Sequence, residues 1–524
     1  MSGDRLEAIQ VSPERLNRIE SLELPVAAEA ERSYDPNVIL GTPTEQVEEL
    51  ALTIEQCREL ALRNNLDLQV QRFSPALAEE GITQSLARFE PLALTNISYS
   101  KTDSPVLYSN TDSSQSKGAS NNFSFQVPLR TGGQITLRQP LYWSTTDRES
   151  TLFPTSYTTD MSLSINQPLL RGGGIKTNEY NIRVAYYGAD RAKAQTKLAA
   201  IGVLANVDRF YWRLYASRQE LEVRKQEYDL AVEQSESARR KLKAGQLAEI
   251  DVLRADNAAT QRLEAIILAE NQVRDRERSM KQILNEAGLE METATILISA
   301  TEPNPLRYEI DSSRLVDYAL SNRMELLELE LQLIQDADNI AWQKNATLPL
   351  LSLDYTYNIN ALGTEADTSY KMMAENDFVD HRMGLTLQVP MGNKSAKSRL
   401  RQAILQHQQR LISKKQRELL IRKEVLNAVD QMEANWQRVA ASRLNAELAL
   451  RTFQAEQRLF DQGRSISYNL LNALASYANA LSAEIRALTE YQIAQVDLAY
   501  ATGSLLTAAR VEWETDAESF EIDK

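Results

Sequence analysis

The sequence predicts a mostly helical chain with a small β portion, built twice on the plan helix–strand–strand–helix. Three observations carry this reading: an internal repeat, two proline-free stretches of about 68 residues, and short segments of period-two alternation.

The repeat is read from shared order. Ala61-Leu62-Arg63-Asn64-Asn65-Leu66-Asp67-Leu68 resembles Ala319-Leu320-Ser321-Asn322-Arg323-Met324-Glu325-Leu326 at an offset of 258, where Pro91 also meets Pro349 and Tyr99 meets Tyr357. Further on the offset is 222, with Pro168 matching Pro390 and Val203, Val207 and Phe210 matching Val425, Val429 and Met432. It then becomes 218, where Gly245 meets Gly463 and Leu253 meets Leu471. The drop of 36 means that the first half carries an additional segment between its strands.

Each half opens on a helix, near 52–88 and 312–346, with Pro91 and Pro349 just beyond its end. Strands follow. Leu351, Leu353, Tyr355 and Tyr357 alternate with polar residues, as do Met383, Leu385, Leu387 and Val389, and Met161, Leu163 and Ile165. One face of each strand is therefore apolar and the other polar. The additional segment reads as a hairpin turning at Thr131-Gly132-Gly133. Long helices follow over 176–243 and 394–461; at 1.5 Å per residue each spans about 100 Å, too long for a compact domain. Their apolar seams step by four and three, the coiled-coil spacing, through Val425, Val429, Met432, Trp436 and Val439 in the second. Both end at a glycine turn, Gly245 and Gly463, and a returning helix. The organisation is then an extended segment (1–50), a first repeat (51–300) and a second (301–510), and an acidic tail (511–524). The first repeat holds strands near 92–100 and 158–167, the hairpin 121–142 and a helical hairpin 176–287. The second holds strands near 350–358 and 381–389 and a helical hairpin 394–502. Glu365, Asp367, Glu375, Asp377 and Asp380 read as a solvated loop.

Composition narrows the function. The net charge is −14 and no clustered basic face is seen, so nucleic acid is not the expected partner. The single cysteine, Cys57, lies in a helical pattern and cannot form an internal disulfide. The only two histidines, His381 and His407, have no neighbouring ligand set, and no nucleotide-binding or nucleophile motif occurs, so no cofactor, metal or catalytic residue is expected. No stretch reaches the roughly 18 apolar residues of a spanning helix. Met1 to Gln10 is polar and charged; no signal peptide is visible, which on its own counts against export.

Four two-faced core strands cannot close a barrel, since even small membrane barrels use about eight, and open edges are not tolerated in lipid. Other copies of the chain must complete them; three copies would give twelve strands, although periodicity does not fix the number three. A soluble coiled-coil tether or scaffold is the rival reading. It accounts for the helices but not for duplicated amphipathic strands.

Here the motifs carry a resemblance. Leu52-Thr53-Ile54-Glu55-Gln56 with Ala61-Leu62-Arg63-Asn64-Asn65, the strand exit Gln167-Pro168-Leu169-Leu170, and the turns beginning Ala244-Gly245-Gln246 and Gln462-Gly463-Arg464 occur in the order of the TolC-like outer-membrane efflux proteins, which the chain resembles over roughly residues 50–510. The resemblance implies a homotrimer whose α-helical barrel is continuous with a 12-stranded transmembrane β-barrel. It implies a passive exit duct of a tripartite efflux or type I secretion system, in the outer membrane with a long periplasmic extension. The implied partners are a periplasmic adaptor and an inner-membrane pump of RND or ABC type. Leu163, Ile165, Leu353, Tyr355, Leu385 and Leu387 are expected to face lipid. Gly245, Gln246, Leu247, Gly463, Arg464 and Ser465 are expected to meet the adaptor. Family members can carry paired acids at the periplasmic mouth; the matching positions here are Asn469 and Asn472. With Asp251 and Arg464, which can pair across adjacent hairpins, these are the candidate aperture residues.

Overall fold

A computed structural model describes residues 48–105, 113–147, 154–245 and 247–511. The predicted extended segment lies outside them up to residue 47, as do the acidic tail from 512 on and Gln246. In chain order the elements are β1 (Glu49–Leu52), α1 (Ile54–Asn64), α2 (Leu66–Leu86), β2 (Leu92–Pro105), β3 (Ser113–Pro128), β4 (Gln134–Thr146), β5 (Thr155–Thr159), β6 (Met161–Pro168), α3 (Ile175–Asn178), α4 (Tyr180–Lys243), α5 (Glu249–Leu284) and β7 (Ile296–Ser299). The second half follows with α6 (Ser312–Asn322), α7 (Met324–Ala346), β8 (Leu350–Ile359), β9 (Leu362–Gly363), α8 (Ala366–Glu375), β10 (Val379–Gln388), α9 (Lys394–Asp461), α10 (Ser467–Thr502) and α11 (Leu505–Ala508). No helix among the described residues is long and apolar enough to cross a membrane.

The duplication extends to local detail. The opening helix of each half is broken once, at Asn65 and at Arg323, which are related by the same offset of 258. Both residues are extended and buried, and their N–H groups donate to Ala61 and Ala319 one turn back. Asn65 then starts α2 by accepting from the Leu68 N–H at 3.0 Å. The predicted single helices of about 35 residues are thus pairs. Upstream, Thr53 and Gln56 form a reciprocal capping box at the start of α1.

The chain divides into two compact units. The first comprises the residues up to Gln69, Ala200–Val316 and those from Glu424 on. Its core gathers Ile54, Cys57 and Ala61 of α1 with Val207, Tyr211 and Leu214 of α4, Val273 and Met280 of α5, and Ile493 of α10. Within it β1 and β7 pair in parallel, Leu50 opposite Leu297, an element that the sequence did not disclose. Asp208 is fully buried and takes a two-pronged contact from Arg58, at 2.7 and 2.8 Å.

The second unit comprises Val70–Ala199 and Asp317–Lys423. Its sheet runs β2-β3-β4-β6-β8-β10, every neighbour antiparallel, with β5 and β9 off this path. The structure corrects three readings. The hairpin 121–142 is longer, 113–128 and 134–146, and lies in the same sheet as the other strands, so six long strands rather than four form one path. The strand expected near 158–167 is two, β5 and β6, divided at Asp160. Opposite it stands Pro140, which has no N–H to give the ladder; β5 stays paired with β4 and takes β9, rather than β8, as its other neighbour. The acidic loop contains a helix, α8, whose Ser369 is buried against Thr159, their hydroxyls 2.6 Å apart.

Candidate functional site

The first candidate site is the sheet. Its register shows which side chains share a face. Leu163 of β6 stands opposite Tyr357, and Ile165 opposite Tyr355. Across the next ladder Tyr355 stands opposite Met383, Leu353 opposite Leu385 and Leu351 opposite Leu387. All six residues expected to face lipid therefore lie on one side. The other side carries Ser164 opposite Thr356, Asn166 opposite Asp354 and Ser352 opposite Thr386.

Exposure is inverted relative to a water-soluble sheet. Met383 and Leu385 are 76% and 65% exposed, and Leu163, Ile165 and Tyr355 are exposed as well, whereas Ser352 on the polar side is buried. Polar groups there satisfy one another: Asn166 donates to Asp354, and Gln134 to Gln126 at 2.9 Å. A sheet facing water on one side buries its apolar face. This one leaves Leu163, Ile165, Tyr355, Met383 and Leu385 of its apolar face exposed, while α8 covers the face only at Thr159. His381 lies between Tyr355, whose hydroxyl is 3.0 Å from its Nδ1, and Tyr357.

Helices of the same unit show the same inversion. Along α9, Arg410 meets Asp336 at 2.6 Å, Lys414 meets Glu330 at 2.7 Å and Arg417 meets Glu325 at 2.9 Å, all on α7. Leu405, Ile412 and Leu419, spaced by sevens on α9, are exposed, as are Val70, Phe73 and Leu77 on α2.

The second candidate site, in the first unit, is the pair of helical hairpin tips. Gly245 and Gly463 take left-handed φ of 71° and 70°, the conformation that closes a helix C-terminus. The Gly245 N–H donates to Leu242, and the Gly463 N–H to Phe460. Leu247 is half-buried against Ala238, Val252 and Ala255. Ser465 donates to Glu456 at 2.8 Å. The two tips touch, with Lys241 Nζ 3.8 Å above the Phe460 ring; further back on α4, Leu230 packs against the cluster that holds Phe453, Phe460 and Leu474. Asn469 and Asn472 are both exposed, one turn apart, as is Arg464. Asp251 lies 3.4 Å from Arg254 on the next turn of the same helix. The i,i+3 spacing on one helix holds the two together with no hairpin crossing.

Among the described residues no cluster of three or more histidine, cysteine or acidic side chains could hold a metal ion. Cys57 is buried, and burial, with the nearby Asp208 carboxylate adding to it, pushes its thiol up to about 12. It is a core residue rather than a nucleophile.

A two-faced sheet with an outward apolar side and paired helical hairpins, both in one duplicated chain, point to a class of membrane proteins. The family model for outer membrane efflux proteins matches residues 134–286 and 315–504, and the chain belongs to that family. No curated protein matches it. Among solved structures it is similar to the outer-membrane channel OprN, with 16% identity, a TM-score of 0.62, and coverage of 86% of this chain and 90% of that one. It is also similar to the Campylobacter jejuni CmeC outer membrane channel, with 15% identity, a TM-score of 0.64 and coverage of 93% and 94%. The open state of the Neisseria gonorrhoeae MtrE channel gives 14% identity, a TM-score of 0.60 and coverage of 86% and 89%. The reading as a soluble tether or scaffold is not favoured.

Proposed function

We propose that this outer-membrane efflux protein acts as a passive exit duct, with the sheet of the second unit in the bilayer and the hairpin tips of the first meeting a periplasmic adaptor coupled to an inner-membrane pump. The inverted exposure of the sheet carries the reading. Apolar side chains left in water cost about 25 cal/mol per Å², and acyl chains remove that cost. Leu163, Ile165, Leu353, Tyr355, Leu385 and Leu387 are the lipid-facing set.

Self-association follows from two features. The long edges of β2 and β10 each have one neighbour among the described strands, and lipid does not tolerate open ladders. Leu405, Ile412 and Leu419 form a heptad stripe that a second copy would cover. Three copies are what membership of the family implies. At the tips, Asn469 and Asn472 are the aperture residues and Gly245, Leu247, Gly463, Arg464 and Ser465 the adaptor contacts; Gln246 lies outside the described residues. An asparagine ring closes by hydrogen bonds and holds divalent cations weakly.

Outer-membrane fractionation followed by mass measurement in detergent tests this. The expected species is three times the 59.1 kDa chain and detergent-dependent. A monodisperse, detergent-free monomer would overturn it.

A further inference from the structure

We propose that all six long strands, β2, β3, β4, β6, β8 and β10, line the barrel wall, so that each chain contributes six strands where a four-strand plan of two per repeat was expected. The inference rests on the membrane reading of the sheet and extends it to the segment that the second repeat lacks.

The strand register carries the apolar face across the sheet. One row of directly opposed residues crosses the whole sheet: Ala93, Phe125, Leu137, Leu163, Tyr357 and His381. The adjacent row on that face is Val127, Ile135, Ile165, Tyr355 and Met383. Leu163, Ile165 and Tyr355 belong to the proposed lipid-facing set, and their rows run without a break into β4 and β3. The polar rows run from β10 to β3, with Gln126, Thr136, Ser164, Thr356 and Arg382 in one line and Ser124, Arg138 and Ser162 in another; on the edge strand β2 the same lines end at Leu92 and Leu94. Exposure inverts here too, Phe125 being 38% exposed and its polar-side neighbour Ser124 only 7%. A hairpin projecting into water would have no reason to keep phenylalanine outward and serine in.

A second feature is independent of the rows below it. Tyr99, Trp143 and Tyr157 fall in one row on the apolar face, through Ala119, and the next row on β2 and β3 is Lys101 opposite Lys117. An aromatic row followed by charge marks the bilayer interface of a membrane barrel. β2 to β5 supply this row. The match to the family model begins at Gln134, the first residue of β4, so β2 and β3 precede it. At 14 and 16 residues both exceed the roughly 9–11 that span a bilayer.

The occupant of the apolar face of β2, β3 and β4 is therefore lipid acyl chain, and the β2 edge, not an inner strand, pairs with β10 of the next copy. Barrel diameter grows roughly linearly with strand number, so three copies would close 18 strands at about 1.5 times the diameter of a twelve-stranded wall. The exit would then pass bulkier solutes than a twelve-stranded one.

Single-cysteine scanning in proteoliposomes tests the wall, with a membrane-impermeant maleimide as probe and Cys57 buried and silent. Phe125→Cys and Leu137→Cys are expected to be protected to the same extent as Leu385→Cys, and Thr136→Cys to be labelled at least tenfold more. Labelling of Phe125→Cys and Leu137→Cys with Leu385→Cys protected would overturn the six-strand wall and leave the membrane reading standing. Labelling of all three would sink both. Strand counting in cryo-EM density of the unsubstituted protein in nanodiscs needs no variant: six wall strands per protomer are expected, and four would refute the proposal.

Discussion

The guanidinium of Arg410 meets the carboxylate of Asp336 at 2.6 Å between α9 and α7, while Ile412, two residues along the same helix, stands exposed. Charge lines the inner seam and the aliphatic residues face out. We predict that Ile412→Asp leaves the fold of a single chain intact but weakens self-association. The loss is about 1.5–3 kcal/mol for each side chain that a neighbouring copy would bury. Dissociation of the detergent-solubilised complex on dilution, compared with that of the parent, measures it.

Asp208 is fully buried, and Arg58 is its close partner. Burial pushes its carboxyl up, and the hydrogen bonds and charge of Arg58 work against that. Asp208→Ala leaves a largely buried guanidinium without its anion, and a loss of about 3–5 kcal/mol is expected. The double variant Arg58→Met/Asp208→Leu should recover most of it. Denaturant unfolding of the three variants checks the coupling.

Glu325 gives a pH signature. Burial raises its pKa, but the hydrogen bond and charge of Arg323, with Arg417 beside them, more than offset this and hold the carboxyl below the usual range. A depressed folded pKa stabilises above the unfolded value of about 4.3, and that contribution is lost as pH falls through the folded value. Wild-type thermal stability should therefore fall as pH drops below about 4, more steeply than that of Glu325→Gln. Parallel curves would remove Glu325 from the account.

Much of this architecture was legible because it is periodic or punctuated. The proline-free stretches became α4 and α9 with the ends expected at Lys243 and Asp461, and the glycine turns at Gly245 and Gly463 closed them. What was missed is what short segments and distant partners hide. Glu49–Leu52 and Ile296–Ser299 are four residues each, too short for alternation to register. The Arg410–Asp336 pair joins residues 74 apart, and nothing local in either helix announces it. At the tips the sequence placed Asn469 and Asn472 one turn apart, but the contact of Asp251 with Arg254 along the same helix was not singled out.

The tips supply a conductance prediction. Asn469→Asp with Asn472→Asp should make divalent cations block the channel at concentrations at least tenfold lower than in the parent, because three copies would present a ring of carboxylates. Asp251→Ala should leave that response unchanged, since its charge is already matched by Arg254. Planar-bilayer recordings with added magnesium decide this. An unaltered block in the asparagine variants would place the constriction elsewhere.

The lipid-facing sheet is the central claim, and Leu385 and Thr386 test it as neighbours on opposite faces of β10. Leu385→Arg puts a charge on the exposed apolar row and should cost about 2–4 kcal/mol near the bilayer midplane. Assembled protein in the outer-membrane fraction should fall accordingly. Thr386→Arg puts the same charge on the polar face and should assemble at the parent level with altered conductance. Quantifying assembled protein for this pair is the most direct measurement: loss in Leu385→Arg alone is the predicted result, and equal loss or equal tolerance in both would contradict the account.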